Sequence, residues 1–295
     1  MNRINLDSFI AQTLQCVQKH NLGKPGEYAR WLWGENRNLG LNEYGCADAA
    51  NILYSIGSFP SAPEERAAWI QTLQSLQNAE TGLYSEPTHH TIHTTAHCTA
   101  ALELFDAKPL YKCFALEKYT TKAGLYELLE KEVDWQNPWP QSHKGAGILP
   151  CLTNTDMVGL EWKDWYFDWF SAHTDEETGF FFFGEEKQAP LYQYMAGGFH
   201  YLFNHEAEHR PLKYPDKIID SCLHLLIDPD KSGMLRHCGF IDVDVVYCLT
   251  RAMRQTPHKF YEAKTALEDF AEKYIQMVLA IDYERDEAFN DLHCL

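Results

Sequence analysis

Two histidines four positions apart, His93 and His97, are the side chains of this sequence whose types and spacing most directly suggest chemistry. Within a helix that spacing places both imidazoles on one face, where they can bind a metal ion or act as a paired acid and base. The alternative is that they cap the helix or form hydrogen bonds in the core. Asp48 opens a similar segment of small residues, so we predict Asp48, His93 and His97 as catalytic residues.

A second pair of candidate catalytic groups, Asp242 and Asp244, lies at the start of a later apolar segment. Carboxylates at a helix start also act as N-caps and interact favourably with the helix dipole, so one of the two could serve that purpose. The other would still lie at the mouth of a pocket, where a general acid or base can act. We therefore predict both as catalytic.

The segment from His205 to His209 reads His-Glu-Ala-Glu-His and fits the HExxH pattern of zinc proteases. Because it ends close to Pro211, we predict a solvated loop or a fraying turn there instead of a helix. Protease chemistry is rejected on that ground, and we assign no metal ligands.

Fixed-period self-similarity organises the whole chain. Six segments have a polar entry, then small residues, then aliphatic or aromatic ones, which is typical of an internal, tightly packed helix. Anchors at positions 46, 97, 146, 196, 245 and 293 give intervals of 51, 49, 50, 49 and 48 residues.

Longer amphipathic stretches lie between these segments, with apolar residues at helical spacing and charged opposite faces. No part of the sequence has the alternation of a strand. We predict an all-α protein with one domain, residues 1–295, of the (α/α)6 toroid type with about six helical hairpins, the last inner helix being short or truncated. The predicted outer helices are Leu6–His20, Glu64–Gln77, Leu116–Val133, Glu161–His173, Pro215–Leu226 and Lys259–Ile281.

Three connections share one turn signature, in which Asn or Asp comes several positions before a glycine. Glycine supplies a positive φ, and the Asn or Asp side chain caps the turn. The glycines are Gly82, Gly179 and Gly233.

The stretches Trp69–Tyr84 and His93–Leu102 together resemble the repeat of terpenoid cyclases and protein prenyltransferases, and Asp168–Phe180 resembles a second copy. This resemblance implies the α/α toroid, a fold that is also similar to that of six-hairpin glycosidases, polysaccharide lyases and sugar epimerases. A resemblance in fold does not imply that this chain shares the activity of those enzymes. The cyclase acid motif DxDD appears only as Asp242-Val-Asp244-Val, no DDxxD motif occurs, and the Asp-x-Cys zinc pair of prenyltransferases is reversed in Cys46-Ala-Asp48.

In such a ring, the outer-to-inner loops and the starts of the inner helices surround one mouth of a central pocket. The residues predicted there are rich in His, Asp and aromatic types, which suits a sugar because hydroxyls need fixed hydrogen-bond partners and the ring faces stack on aromatics. Besides the catalytic candidates, the predicted substrate-binding residues are Tyr44, Glu86, His89, His90, Trp139, His143, Tyr192, Tyr194, His200, Asn290, Asp291 and His293.

Charge and composition limit the partners. The formal net charge of -17 repels phosphate backbones, so we predict no nucleic-acid partner. No apolar stretch approaches the roughly 20 residues of a membrane span, and the first ten residues lack a signal-peptide core. The nine cysteines are scattered and form no CxxC pair, which favours reduced thiols and a cytoplasmic location. The sequence indicates neither a cofactor nor an oligomeric state.

These observations predict a carbohydrate-active enzyme, a hydrolase, lyase or epimerase, that uses His and Asp acid–base groups on a small-molecule saccharide. One alternative is an isoprenoid enzyme related to the cyclases and prenyltransferases, favoured by the repeat and opposed by the missing motifs. Another is a non-catalytic helical scaffold whose groove binds a partner.

Overall fold

The structure, a computed structural model, describes residues 4–295 and is all-helical over that range apart from turns and three isolated β-bridges. This confirms the predicted fold class at the level of an all-α protein. The α-helices are α1 (Asp7–His20), α2 (Glu43–Ser55), α3 (Pro63–Ser75), α4 (Thr91–Glu103), α5 (Lys122–Glu127), α6 (Pro138–Asn154), α7 (Leu160–Ala172), α8 (Leu191–Ala207), α9 (Pro215–Ile227), α10 (Phe240–Met253) and α11 (Phe260–Leu279).

Five of the six predicted outer helices are single helices with nearly the predicted bounds: α1, α3, α7, α9 and α11. The prediction for Leu116–Val133 was wrong, because that stretch contains a 3-10 helix (Phe114–Thr120), the short α5 and a π-helical turn (Leu128–Glu132). The chain folds back tightly at Gly124, where an added Cβ would lie 1.9 Å from the carbonyl oxygen of Lys118. Thr121 then starts a new helix by accepting a hydrogen bond from the Gly124 amide at 3.1 Å.

The other predicted segments, those with small residues, lie in α2, α4, α6, α8 and α10. The sixth contains only two 3-10 turns, Glu287–Phe289 and Leu292–Cys294, in agreement with the predicted short last helix.

The predicted positive φ is confirmed at the three glycines, with angles of +74° at Gly82, +78° at Gly179 and +80° at Gly233, but the predicted side-chain cap is absent at the third turn, where Asp228 makes no capping hydrogen bond among the described residues. At the first turn the Asn78 side chain accepts hydrogen bonds from two backbone amides, at 2.9 and 3.0 Å. At the second turn Asp175 accepts one from the Thr178 amide at 2.9 Å. These turns therefore fix where each following segment begins.

The chain divides into two compact units, each assembled from separated stretches. Unit 1 consists of residues 1–115, 150–157 and 278–295, and unit 2 of residues 116–149 and 158–277. The prediction of one domain stays a prediction.

In unit 1, α2 is the central helix, packed against α1, α3, α4 and the 3-10 turn Leu292–Cys294. Its buried small residues Cys46, Ala47, Ala49 and Ala50 allow neighbouring helices to approach closely, and Leu73 and Leu102 fill the core around them. The functional candidates of unit 1 therefore lie beside a rigid helix.

In unit 2, α10 packs against α8 and α9, and α5 packs against α7. The core here is aromatic, with the Trp135 ring stacked 5.5 Å from that of Trp169 and 5.8 Å from that of Tyr201. Trp169 lies on α7, and its side chain is buried in this core.

Two further findings concern the chain as a whole. Each of the nine cysteines is a free thiol, and all but Cys294 are buried. Among residues 4–295, no helix is both long enough and apolar enough to cross a lipid bilayer.

Candidate functional site: an Asp–His cluster beside α2 and α4

Helix α2 presents Tyr44 and Asp48 one turn apart. The Asn42 side chain starts the helix by accepting a hydrogen bond from the Gly45 amide at 3.0 Å. A glycine is needed at position 45 because a Cβ there would lie 2.6 Å from the backbone nitrogen of Arg30. The missing side chain lets the loop that carries Arg30 lie directly against the start of α2.

Helix α4 presents His93 and His97, as the sequence predicts. His90 is the N-cap of α4, where its Nδ1 accepts a hydrogen bond from the Ile92 amide at 3.2 Å. Because His93 and His97 follow by one and two turns, their rings lie nearly parallel, at an angle of 8° and with centroids 6.5 Å apart. Both imidazoles are partly exposed, so a ligand could reach them.

The repeat places equivalent positions of α2 and α4 in contact. The Tyr44 hydroxyl is hydrogen-bonded to His93 Nδ1, and Asp48 to His97, and each pair is separated by 49 positions along the chain. Two contacts with one offset, a turn apart, mean that the two helices run in the same direction in register.

Asp48 lies at the centre of the cluster, between two imidazoles. Its Oδ1 is 2.6 Å from His97 Nε2, and both of its oxygens are 3.2 Å from His293 Nδ1. An ionised carboxylate only accepts hydrogen bonds, so both of these ring nitrogens carry their protons. Burial opposes ionisation of Asp48, yet the neighbouring His293 and His97 hold the pKa of its carboxyl well below the usual value.

The ring of Tyr44 is fully buried and is surrounded by imidazoles. It stacks on His89 at 4.5 Å and on His97 at 5.0 Å, and meets His293 edge-on at 4.5 Å. Since aromatic packing of this kind fixes ring orientation, Tyr44 positions the histidines around it.

Arg30 lies beside the cluster and was not among the site residues predicted from the sequence. Its guanidinium binds both oxygens of Asp291, at 2.7 and 2.9 Å, and donates to Thr88 at 2.6 Å. Asp291 in turn accepts a hydrogen bond from the backbone amide of His293 at 3.0 Å. Arg30 therefore holds the short turn that carries His293 in place.

Glu86 and His89 border the same network. Glu86 lies 3.5 Å from Arg30 and its side chain has no solvent exposure, and within the described part of the chain its Oε1 has no hydrogen-bond partner. Burial and the nearby His293 and Arg30 lower the pKa of His89 to about 4, so this imidazole is neutral at neutral pH. Asn290 was predicted to bind substrate, but its side-chain oxygen accepts hydrogen bonds from the backbone amides of Leu32 and Trp33.

Asp242 and Asp244 are both buried in α10, within unit 2. The N-cap of α10 is Gly239, so neither carboxylate caps this helix. Asp242 instead accepts from the Leu235 amide at 2.8 Å. Burial and, second, the neighbouring Asp242 raise the pKa of Asp244 well above its usual value. No described residue forms a hydrogen bond with its Oδ2.

The remaining predicted site residues also lie in unit 2. Ser142 Oγ is 2.9 Å from His200 Nδ1, and the ring of His143 meets that of His200 edge-on at 5.1 Å. Trp139 lies in the first turn of α6, where its carbonyl oxygen accepts a hydrogen bond from the Ser142 hydroxyl. Tyr192 and Tyr194 lie in the first turn of α8.

The prediction of a solvated loop around the HExxH motif was wrong for its first residues, because α8 continues through Ala207. His205 is buried, its Nδ1 is 3.0 Å from the Tyr201 carbonyl oxygen, and its ring stacks on Phe181 at 5.5 Å. Burial lowers its pKa to about 4. Aromatic neighbours stabilise the continued helix, while His209, with a φ of +53°, lies beyond its end.

Comparison with protein-family models, with curated protein sequences and with solved structures gives no match for this chain. Its function must therefore be argued from the cluster itself.

Proposed function

We propose that this chain is a carbohydrate-active enzyme, built as an α/α toroid in the cytoplasm, whose catalytic centre is the cluster around Asp48. The observation that carries the proposal is the position of Asp48 between His97 and His293, beside a His93 that is bound to the Tyr44 hydroxyl. Partly exposed imidazoles, oriented by a buried carboxylate and a buried phenol, are the arrangement that proton transfer requires.

The reaction types that this centre supports best are those of a lyase or an epimerase, in which a base removes a proton from a sugar carbon. His93 and His97 would be the proton-transfer groups, and Asp48 would orient His97. Glycoside hydrolysis needs two carboxyl groups in acid and base roles. In unit 1, the other carboxylates of the network, Glu86 and Asp291, are instead paired with Arg30.

A sugar is favoured as the substrate by the density of polar groups along one side of unit 1. Hydroxyl groups need several fixed donors and acceptors, and the cluster offers imidazoles at positions 89, 93, 97 and 293 that keep some exposure. An isoprenoid chain is apolar, so it would cover these polar rings and displace water from them without forming hydrogen bonds in return, which costs free energy. The catalytic role of Asp242 and Asp244, in unit 2, stays a prediction, and no step of the reaction proposed here uses them.

The test is an activity screen with neutral and uronic-acid-containing mono- and disaccharides in deuterated water, followed by NMR. Epimerisation would appear as deuterium at the inverted carbon, and elimination as a new vinyl proton. His93→Gln and His97→Gln should each reduce the rate by about 100-fold or more. His224→Gln, which changes an exposed imidazole of α9, is the control and should keep the rate.

Saccharide binding without turnover would favour the scaffold alternative instead. Neither binding nor turnover across the whole panel would refute the proposal.

A further inference from the structure

The three side chains around Asp48 form a donor set that transition metals use. One carboxylate and two imidazoles are the ligands of catalytic zinc sites and of the facial triad of non-haem iron, both of which leave coordination positions open. Here one ligand atom each from Asp48, His97 and His293 lies within 4.8 Å of the other two. The three come from α2, α4 and the turn Leu292–Cys294, all in unit 1.

The distances are close to those that a bound metal ion would require. Zinc bonds of 2.0–2.2 Å in a tetrahedral site put neighbouring ligand atoms about 3.3 Å apart. His293 Nδ1 is already 3.2 Å from the Asp48 oxygens. His97 Nε2 is 2.6 Å from Asp48 and would have to withdraw by about 0.7 Å to reach the tetrahedral separation.

Neighbouring residues orient these three side chains in positions from which they can bind a cation. Tyr44 packs against both imidazoles, and Asp291 fixes the backbone of His293, which is the kind of support that orients metal ligands. The nearby positive charge of Arg30 is already balanced by Asp291 and Glu86, so it opposes a cation only weakly. The side chains of Asp48, His97 and His293 are 7%, 22% and 14% exposed, which shields the site and still permits entry.

We infer that Asp48, His97 and His293 bind a divalent transition metal ion of the zinc type. Three protein ligands leave a position for water or for a substrate oxygen, so the ion could act as a Lewis acid. His97 would then be a ligand, and His93 with Tyr44 would remain as the proton-transfer pair. The inference goes beyond the proposed function, because metal binding can be measured without any substrate.

The experiment is a titration of the chelator-treated chain with Zn²⁺ by calorimetry, with Co²⁺ absorption as a second probe of tetrahedral geometry. We expect one Zn²⁺ per chain and a visible Co²⁺ band that Zn²⁺ abolishes. Asp48→Asn and His97→Gln should each weaken Zn²⁺ binding by about 100-fold or more, since loss of even a supporting residue costs 10- to 100-fold.

His224→Gln, which removes an exposed imidazole of α9, is the control and should bind Zn²⁺ as the unchanged chain does. Should Asp48→Asn fail to fold, as judged by circular dichroism, His293→Gln is the replacement test on the turn Leu292–Cys294. Absence of saturable Zn²⁺ binding would overturn the inference, and so would Zn²⁺ binding in a folded Asp48→Asn or His97→Gln chain that is as tight as in the unchanged chain. One bound Zn²⁺ without activity on any saccharide would refute the proposed function and leave this site standing.

Discussion

Asp48 in unit 1 and Asp244 in unit 2 are both buried carboxylates on helices rich in small or aliphatic residues, with 6% and 1% of their surface exposed. Their ionisation is shifted in opposite directions. The pKa of Asp48 is held low by His293 and His97 against the effect of burial, whereas burial and Asp242 raise the pKa of Asp244. Burial alone therefore does not decide whether a carboxylate of this protein is charged, and the partners beside it do.

The difference extends to the network around each carboxylate. Around Asp48, hydrogen bonds continue through His293 and Asp291 to Arg30, so charges of both signs compensate one another. Beside Asp244 lies the like-charged Asp242, and one carboxyl oxygen of Asp244 has no hydrogen-bond partner among residues 4–295. Unit 1 thus holds a charged centre, and unit 2 a carboxyl group that prefers its proton.

Replacing Arg30, whose positive charge compensates the buried carboxylates around it, should have the largest effect on stability. Arg30→Gln leaves Asp291 and Glu86 without their partner in a buried position, and we expect a loss of about 4 kcal/mol in the free energy of unfolding. Urea denaturation followed by tryptophan fluorescence would measure it. A loss below about 1 kcal/mol would show that the network is not compensated by Arg30.

Removing the central carboxylate should have a somewhat smaller effect. Asp48→Asn keeps the shape of the side chain but leaves His97 and His293 without an anionic acceptor, so we expect a loss of about 3 kcal/mol, measured in the same denaturation series. An unchanged free energy of unfolding would mean that the charge on Asp48 contributes nothing to the fold.

The matched substitution in unit 2, Asp244→Asn, should act in the opposite direction and depend on pH. A folded-state pKa above the unfolded one gives stability that is complete below the unfolded pKa, about 3.9, and is lost as pH rises through the folded pKa. The variant escapes this loss. Relative to the unchanged chain it should gain about 1.4 kcal/mol for each unit by which the pKa is raised.

Denaturation at pH 4 and at pH 8 measures this gain. The two chains should differ little at pH 4, where the folded-state carboxyl is protonated and the unfolded-state one is close to its pKa, and more at pH 8. A difference independent of pH would contradict the raised pKa, and a variant less stable at pH 8 would reverse the comparison between the two carboxylates.

Much of the helical framework follows from the sequence because the repeat and the helical period are both local patterns. The cluster of Asp48, His93 and His97 could also be predicted, since consecutive helices pack in register and the repeat offset of 49 positions is also the offset of their contacts. Equivalent positions of neighbouring repeats are then neighbours in space.

The residues that the sequence does not reveal depend on contacts between distant segments. Arg30 lies in a loop without periodicity, and its place is decided by the bare backbone at Gly45 and by Asp291, 261 positions away. Asp242 looks like a helix cap, but its partner is the amide of Leu235, a residue whose φ of +60° no sequence pattern announces. The break in Leu116–Val133 was not predicted for a different reason, because the amphipathic spacing continues across the local turn at Gly124.

The turn Leu292–Cys294 also has a consequence for the order in which unit 1 assembles. It docks through the Leu292 amide on the Arg30 carbonyl and through His293 on Asp48, pairs separated by more than 240 positions. Closing loops of that length costs chain entropy, and this cost precedes the free energy gained from the contacts. Folds with many contacts between distant positions therefore form slowly. We therefore expect the helices around Asp48 to form early and the contact between Asp48 and His293 to form in a late step of folding. A ligand that binds this Asp–His centre would stabilise the turn Leu292–Cys294 in its folded position.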